Sequence, residues 1–123
     1  MKVRVQARTG AVREVRHQVA RWAVANGALS DAERALTLLT SEVVTNAVEH
    51  GPHGGMITVE AEREEHGFRV GVTDDSPQHP VVRPRAENQV RGRGMQLVSL
   101  LASEWGVDDD HGRGKRVWFI VGG

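Results

Sequence analysis

The chain has 123 residues, enough for one domain with its own core, and its 39% hydrophobic and 26% charged content is ordinary for a soluble globular protein. Sixteen basic residues balance sixteen acidic ones, so net charge offers no electrostatic case for a nucleic-acid or membrane-surface partner. Cysteine is absent, which excludes disulfides, thiolate metal sites and cysteine nucleophiles together.

Residues 2–7 alternate charged or polar side chains with Val and Ala, the period of a short half-buried strand. The charged opening Met1-Lys2-Val3-Arg4-Val5 is not that of a signal peptide. The longest apolar run, Val117 to Val121, is too short to span a bilayer, so a cytoplasmic domain is the expectation. From Ala11 the period changes: Val12, Val15, Val19 and Trp22 recur at helical spacing, and Gly27 after Asn26 supplies a stop, predicting a helix over about 11–25.

Ser30-Asp31-Ala32-Glu33 has the form of a capping box opening a second helix, which runs through Leu36, Leu39, Val43 and Ala47 to His50-Gly51-Pro52. Apolar residues at 35, 36, 38, 39, 43, 44, 47 and 48 cover more than half of its circumference. A helix so apolar packs deeply, so Glu42 and Asn46, four apart on one face, open onto a cleft more than onto bulk water. A carboxylate and a carboxamide held side by side are hard oxygen ligands of the kind Mg²⁺ accepts. In isolation the same pair also reads as a solvated helix face.

Met56 to Arg63 alternates as a strand, His66-Gly67 predicts a tight turn, and Phe68, Val70 and Val72 resume the alternation, together an antiparallel hairpin. The second strand ends in Thr73-Asp74-Asp75-Ser76-Pro77. Asp74 there is either a turn residue or a buried acceptor for an exocyclic amine such as adenine's. Residues 77–93 hold three of the four prolines and read as a lid-length loop. Gly92-Arg93-Gly94-Met95 opens a third helix carrying Val98 and Leu101, and glycines at a helix N-terminus admit a phosphate to its free N–H groups. Trp105 to Val107 and Arg116 to Val121 read as strands around a charged turn from Asp108 to Gly114. The resulting order, β-α-α-β-β-loop-α-β-β, predicts a two-layer α/β sandwich with helices on one face of a mostly antiparallel mixed sheet, a single domain over 1–123. With few aromatics the expected core is Val/Leu/Ala, with Trp22, Trp105 and Trp118 as its bulky members.

The succession Glu42-x-x-x-Asn46-Ala47, Asp74-x-Ser76 and Gly92-x-Gly94-Met95 resembles the N, G1 and G2 boxes of the GHKL ATPase/kinase superfamily, the Bergerat fold. Residues Ser41 to Gly51 and the ending Gly114-Lys115-Arg116-Val117-Trp118-Phe119 are similar to bacterial anti-sigma-factor serine/threonine kinases and to actinomycete single-domain ATP-binding regulators. The resemblance implies ATP and Mg²⁺ as ligands. By it, Asn46 is the metal-binding residue and Glu42 the catalytic base, and Asp74 is the acceptor for the adenine amine. His50, Ser76, Gly92, Arg93, Gly94 and Met95 would complete the nucleotide site. It further implies phosphorylation of an anti-sigma-factor antagonist, sequestration of a sigma factor and a homodimer, with no direct nucleic-acid or membrane partner.

The chain departs from the family pattern in three places. Ser76 and Gln78 stand where the G1 box usually has glycines, Arg116 stands where a threonine often supports the adenine aspartate, and Glu49 stands where sensor histidine kinases often carry a basic residue. No phosphoacceptor-histidine domain precedes the boxes, so a complete sensor kinase is not expected. The altered G1 box leaves a second reading open, a non-catalytic interaction module on the same fold. His50 and His53 form a pair without a third metal ligand and read as loop residues. Arg83, Arg85, Arg91 and Arg93 are either lid cations for a γ-phosphate or solvated loop residues.

Overall fold

The computed structural model describes residues 1–50, 54–75, 93–109 and 114–123. Residues 76–92, which take in the lid-length loop up to Gly92 with Ser76, Gln78, Arg83, Arg85 and Arg91, lie outside the described residues, as does His53, whereas Arg93 is the first residue of the third helix. The elements are β1 (Lys2–Gln6), α1 (Thr9–Ala25), α2 (Ser30–His50), β2 (Met56–Glu64), β3 (Gly67–Asp74), α3 (Arg93–Leu101), β4 (Glu104–Asp109) and β5 (Lys115–Gly122). This is the predicted order.

Helix ends follow local backbone chemistry. α1 begins two residues before its apolar repeat, with Ala11 N–H donating to the Arg8 carbonyl. It stops as predicted at Gly27, whose φ is +89°. There Gly27 N–H reaches the Val24 carbonyl and Ala28 N–H the Ala23 carbonyl, the paired bonds of a Schellman ending. The helix expected to open with a capping box at Ser30 starts one residue earlier. Glu33 N–H donates to the Leu29 carbonyl, so Ser30 already lies inside α2 and its hydroxyl is not the cap. Asp31 and Glu33 still place negative charge in the first turn, where the helix dipole favours it.

The strands form one sheet in the order β1-β2-β3-β5-β4. All four pairings are antiparallel, so the described sheet is not mixed as expected. β3 and β4 do run the same way, as a crossover through α3 requires, but β5 inserts between them and converts a parallel contact into two antiparallel ones. The β2–β3 turn is Glu65-His66, one residue earlier than predicted, because Glu64 pairs with Gly67.

Alternation divides the sheet. Val3, Val5, Ile57, Val59, Ala61, Phe68, Val70, Val72, Phe119 and Val121 face the helices and, save the partly buried Val3, are buried there. They meet Val15, Val19, Leu36, Leu39, Val43 and Val44 from α1 and α2. The bulky core residues are Phe68 and Phe119 rather than the tryptophans. Trp22 packs edge-on against Phe68 at 5.9 Å from the core margin, and Trp105 is 42% exposed on the edge strand. Trp118 alternates onto the opposite face, where Arg69 lies 4.6 Å from its ring centroid. No helix of the described residues is long and apolar enough to cross a membrane.

Candidate functional site

The buried side of α2 is built from Leu36, Leu39, Val43, Val44 and Ala47. Packing these residues against the sheet leaves Glu42 and Asn46 half-buried on successive turns, about 6 Å apart along the axis. Thr37 and Ser41, on neighbouring turns, bond back to the Glu33 and Thr37 carbonyls of their own helix. No side-chain hydrogen bond or ion pair joins Glu42 or Asn46 to another described residue.

Asp74 is the last residue of β3 and only 3% exposed, whereas Asp75 beside it is exposed and accepts the Met56 N–H at 3.1 Å. The adjacent aspartates thus have different work: Asp75 closes the open end of the β2–β3 hairpin, and Asp74 is a carboxylate held on the helix side of the sheet. Across the ladder it faces Ile57 of β2 and Lys115 of β5. The Lys115 ammonium stands 4.0 Å from the Asp74 carboxylate. Gly114, just before β5, has a φ of +153°, and a Cβ there would collide with the Asp74 carbonyl oxygen. The backbone at Asp74 is thereby closely fitted to its neighbour.

Topology brings the three sequence-predicted groups to one end of the molecule. Asn46 lies in the last turn of α2, and the chain then returns as β2, whose second residue, Ile57, pairs with Asp74. α3 ends next to β4, whose first residue, Glu104, pairs with Ile120, at the opposite end of β5 from Lys115. α3 therefore runs away from the Asp74 end, and its first turn, Arg93-Gly94-Met95, is directed toward it. α2 touches both β3 and α3. His50 is the final residue of α2.

The model of the histidine kinase-like ATPase domain matches residues 5–121. The chain belongs to that family. Among solved structures, it covers 98% of its length on the RsbU and RsbW domains of Rv1364c from Mycobacterium tuberculosis, with a TM-score of 0.69 and 23% identity, a likeness of fold. It covers 73% of its length on the histidine kinase domain of the Erythrobacter litoralis EL346 blue-light activated histidine kinase, with a TM-score of 0.57 and 28% identity. The chain spans 32% and 47% of those two chains. Comparison with curated proteins returns no match.

For a histidine kinase-like ATPase domain, one relationship was missed by sequence reasoning. The residue across from Asp74 is Lys115, while Arg116, expected in the place of a supporting threonine, pairs with Thr73 on the other face of the sheet and lies over Gly71. The signal lay in the alternation of residues 115–121, once the β3–β5 register is known. The donor set also bears on a metal. Among the described residues no three His, Cys, Asp or Glu side chains cluster as a cage. Hard oxygens at Glu42 and Asn46 suit an ion such as Mg²⁺, which is usually held by one or two protein groups and otherwise by water and substrate phosphates.

Proposed function

We propose that this histidine kinase-like ATPase domain binds ATP with Mg²⁺ and acts as an anti-sigma-factor serine/threonine kinase. It would phosphorylate a serine of an anti-sigma-factor antagonist and, when the antagonist is not engaged, sequester a sigma factor. The observation that carries this reading is the buried carboxylate of Asp74 at the end of the sheet toward which the last turn of α2 and the first turn of α3 are directed.

In this reading Asp74 accepts a hydrogen bond from the adenine amine, and His50 and Ser76 contribute to the nucleotide pocket. Gly92, Arg93, Gly94 and Met95 present the α3 N-terminus to the phosphates. Asn46 would hold Mg²⁺ through its side-chain oxygen, and the ion when bound would offset the charge of the phosphates. Glu42 orients the partner's serine and takes its hydroxyl proton. The serine oxygen bonds to the γ-phosphorus while the bond from that phosphorus to the bridging oxygen breaks, leaving ADP.

One observation favours a second reading, a non-catalytic interaction module: Lys115 already places a cation beside Asp74, where it would compete with a base for the carboxylate. Isothermal titration with Mg-ATP separates the two. Saturable heat that disappears in Asp74→Ala supports the ATP reading, and absence of heat at millimolar nucleotide supports the second. Transfer of label from γ-labelled ATP to a purified antagonist then tests the kinase step.

A further inference from the structure

Four of the exposed large hydrophobic residues gather at one corner. Leu100 and Leu101 end α3 with 78% and 44% of their surfaces exposed, and Trp105 and Val107 on β4 have 42% and 40% exposed. α3 and β4 touch each other. β4 is also the edge of the sheet: β5 pairs with one side of it, and no described strand pairs with the other. Unpaired backbone N–H and C=O groups along an edge are a template for a further strand.

The side chains of β4 alternate in a way that selects what such a strand must carry. Trp105 and Val107 stand opposite Phe119 and Val117, on the helix side of the sheet. Glu104 and Asp108 stand opposite Ile120 and Arg116, on the other side. A second copy of this chain is a poor occupant in the register that overlaps β4 most fully. Pairing β4 with itself about a twofold axis centred on Gly106, helices on the same side, sets Glu104 directly against Asp108 twice, and like charges directly opposite destabilise a ladder.

We propose that the β4 edge accepts an extended segment of a partner protein in which Lys or Arg alternates with apolar residues. The apolar residues lie against Trp105, Val107 and the end of α3, and the cations lie opposite Glu104 and Asp108. Backbone hydrogen bonds to the edge supply affinity and the alternation supplies selectivity. The six residues of β4 span about 20 Å, room for a segment of similar length.

The test uses the full chain and a seven-residue peptide with blocked ends, Lys-Val-Lys-Val-Lys-Val-Lys, followed by amide NMR titration. The expected result is saturable shifts concentrated at residues 104–109, with Val107→Lys weakening binding roughly tenfold or more and Glu62→Lys, on β2, leaving it unchanged. A Glu-Val peptide of the same length and a peptide N-methylated at alternate residues should both fail to bind. Equal binding of the Lys-Val and Glu-Val peptides, equal binding of the N-methylated peptide, or shifts centred elsewhere would overturn the proposal. So would a dimer seen in sedimentation that Val107→Lys dissociates, since the edge would then be occupied by a second copy. Circular dichroism of Val107→Lys shows whether it is folded; a misfolded variant is replaced by Trp105→Lys, for which the same loss is required. Val107→Lys should keep the Mg-ATP affinity of the unsubstituted chain, so failure here is separable from failure of the nucleotide reading.

Discussion

Lys115 stands directly across from Asp74 in the β3–β5 ladder and brings its ammonium to 4.0 Å from that carboxylate. The Asp74 side chain is 4% exposed and that of Lys115 is 23% exposed, so the pair is screened less than a surface ion pair and more than a core one. Lys115→Met should therefore lower stability by about 1 kcal/mol in urea unfolding at neutral pH. Under the proposed function Asp74→Asn should weaken ATP binding about ten- to a hundredfold, the range for a hydrogen bond to a charged acceptor. Inosine triphosphate, which presents a carbonyl in place of the adenine amine, checks the assignment. The unsubstituted chain should prefer ATP, and Asp74→Asn should lose most of that preference. A preference that survives the substitution would remove Asp74 from base recognition.

Glu42 and Asn46 sit on successive turns of one helix but are assigned different work. Asn46→Ala should abolish the Mg²⁺-dependent part of nucleotide binding in calorimetry. Glu42→Gln should leave binding within about twofold and slow phosphate transfer by about 10²–10⁴, the usual contribution of a general base. Equal transfer rates for Glu42→Gln and the unsubstituted chain would exclude Glu42 from the chemistry.

Two glycines in adjoining strands or their approaches should respond unequally to alanine. At Gly114 the added Cβ meets the Asp74 backbone carbonyl, in a backbone conformation that L side chains rarely adopt. At Gly71 it meets the guanidinium of Arg116, the far end of a flexible side chain. Gly114→Ala should cost about 2 kcal/mol or more and weaken nucleotide binding by moving Asp74. Gly71→Ala should cost about 1 kcal/mol or less and leave binding intact. Urea denaturation and nucleotide titration of both variants check this.

The reassignment of the bulky core residues is testable in the same way. Phe68 is fully buried, carries Trp22 against its ring and has the Arg63 guanidinium 4.8 Å from its centroid. Phe68→Ala should cost about 3–5 kcal/mol. Trp118→Ala, on the face away from the described helices, should cost about 1 kcal/mol, although tryptophan is the larger side chain. Similar losses for the two would place Trp118 in the core after all.

Local periodicity made most of this protein legible from its sequence. The switch from period two to helical spacing near Ala11, the Gly27 stop, the β2–β3 hairpin and the apolar stripe of α2 are each properties of a short segment, and each appears in the fold, although Leu38 of that stripe is 41% exposed. The same holds for Glu42 and Asn46, whose spacing alone puts them on one face, and for Asp74, which ends an alternating apolar strand. The boxes along the chain also pointed to the family that the residues 5–121 match confirms. Other features depended on which segments meet. The insertion of β5 between β3 and β4, which makes the described sheet wholly antiparallel, joins strands far apart in the chain. Register then decided that Lys115 and not Arg116 faces Asp74, and that Phe119 and not Trp118 enters the core. A one-residue shift of pairing exchanges the two faces of a strand. Residue order states the alternation of β5, but only the neighbouring strand and the helices above it decide which phase is buried.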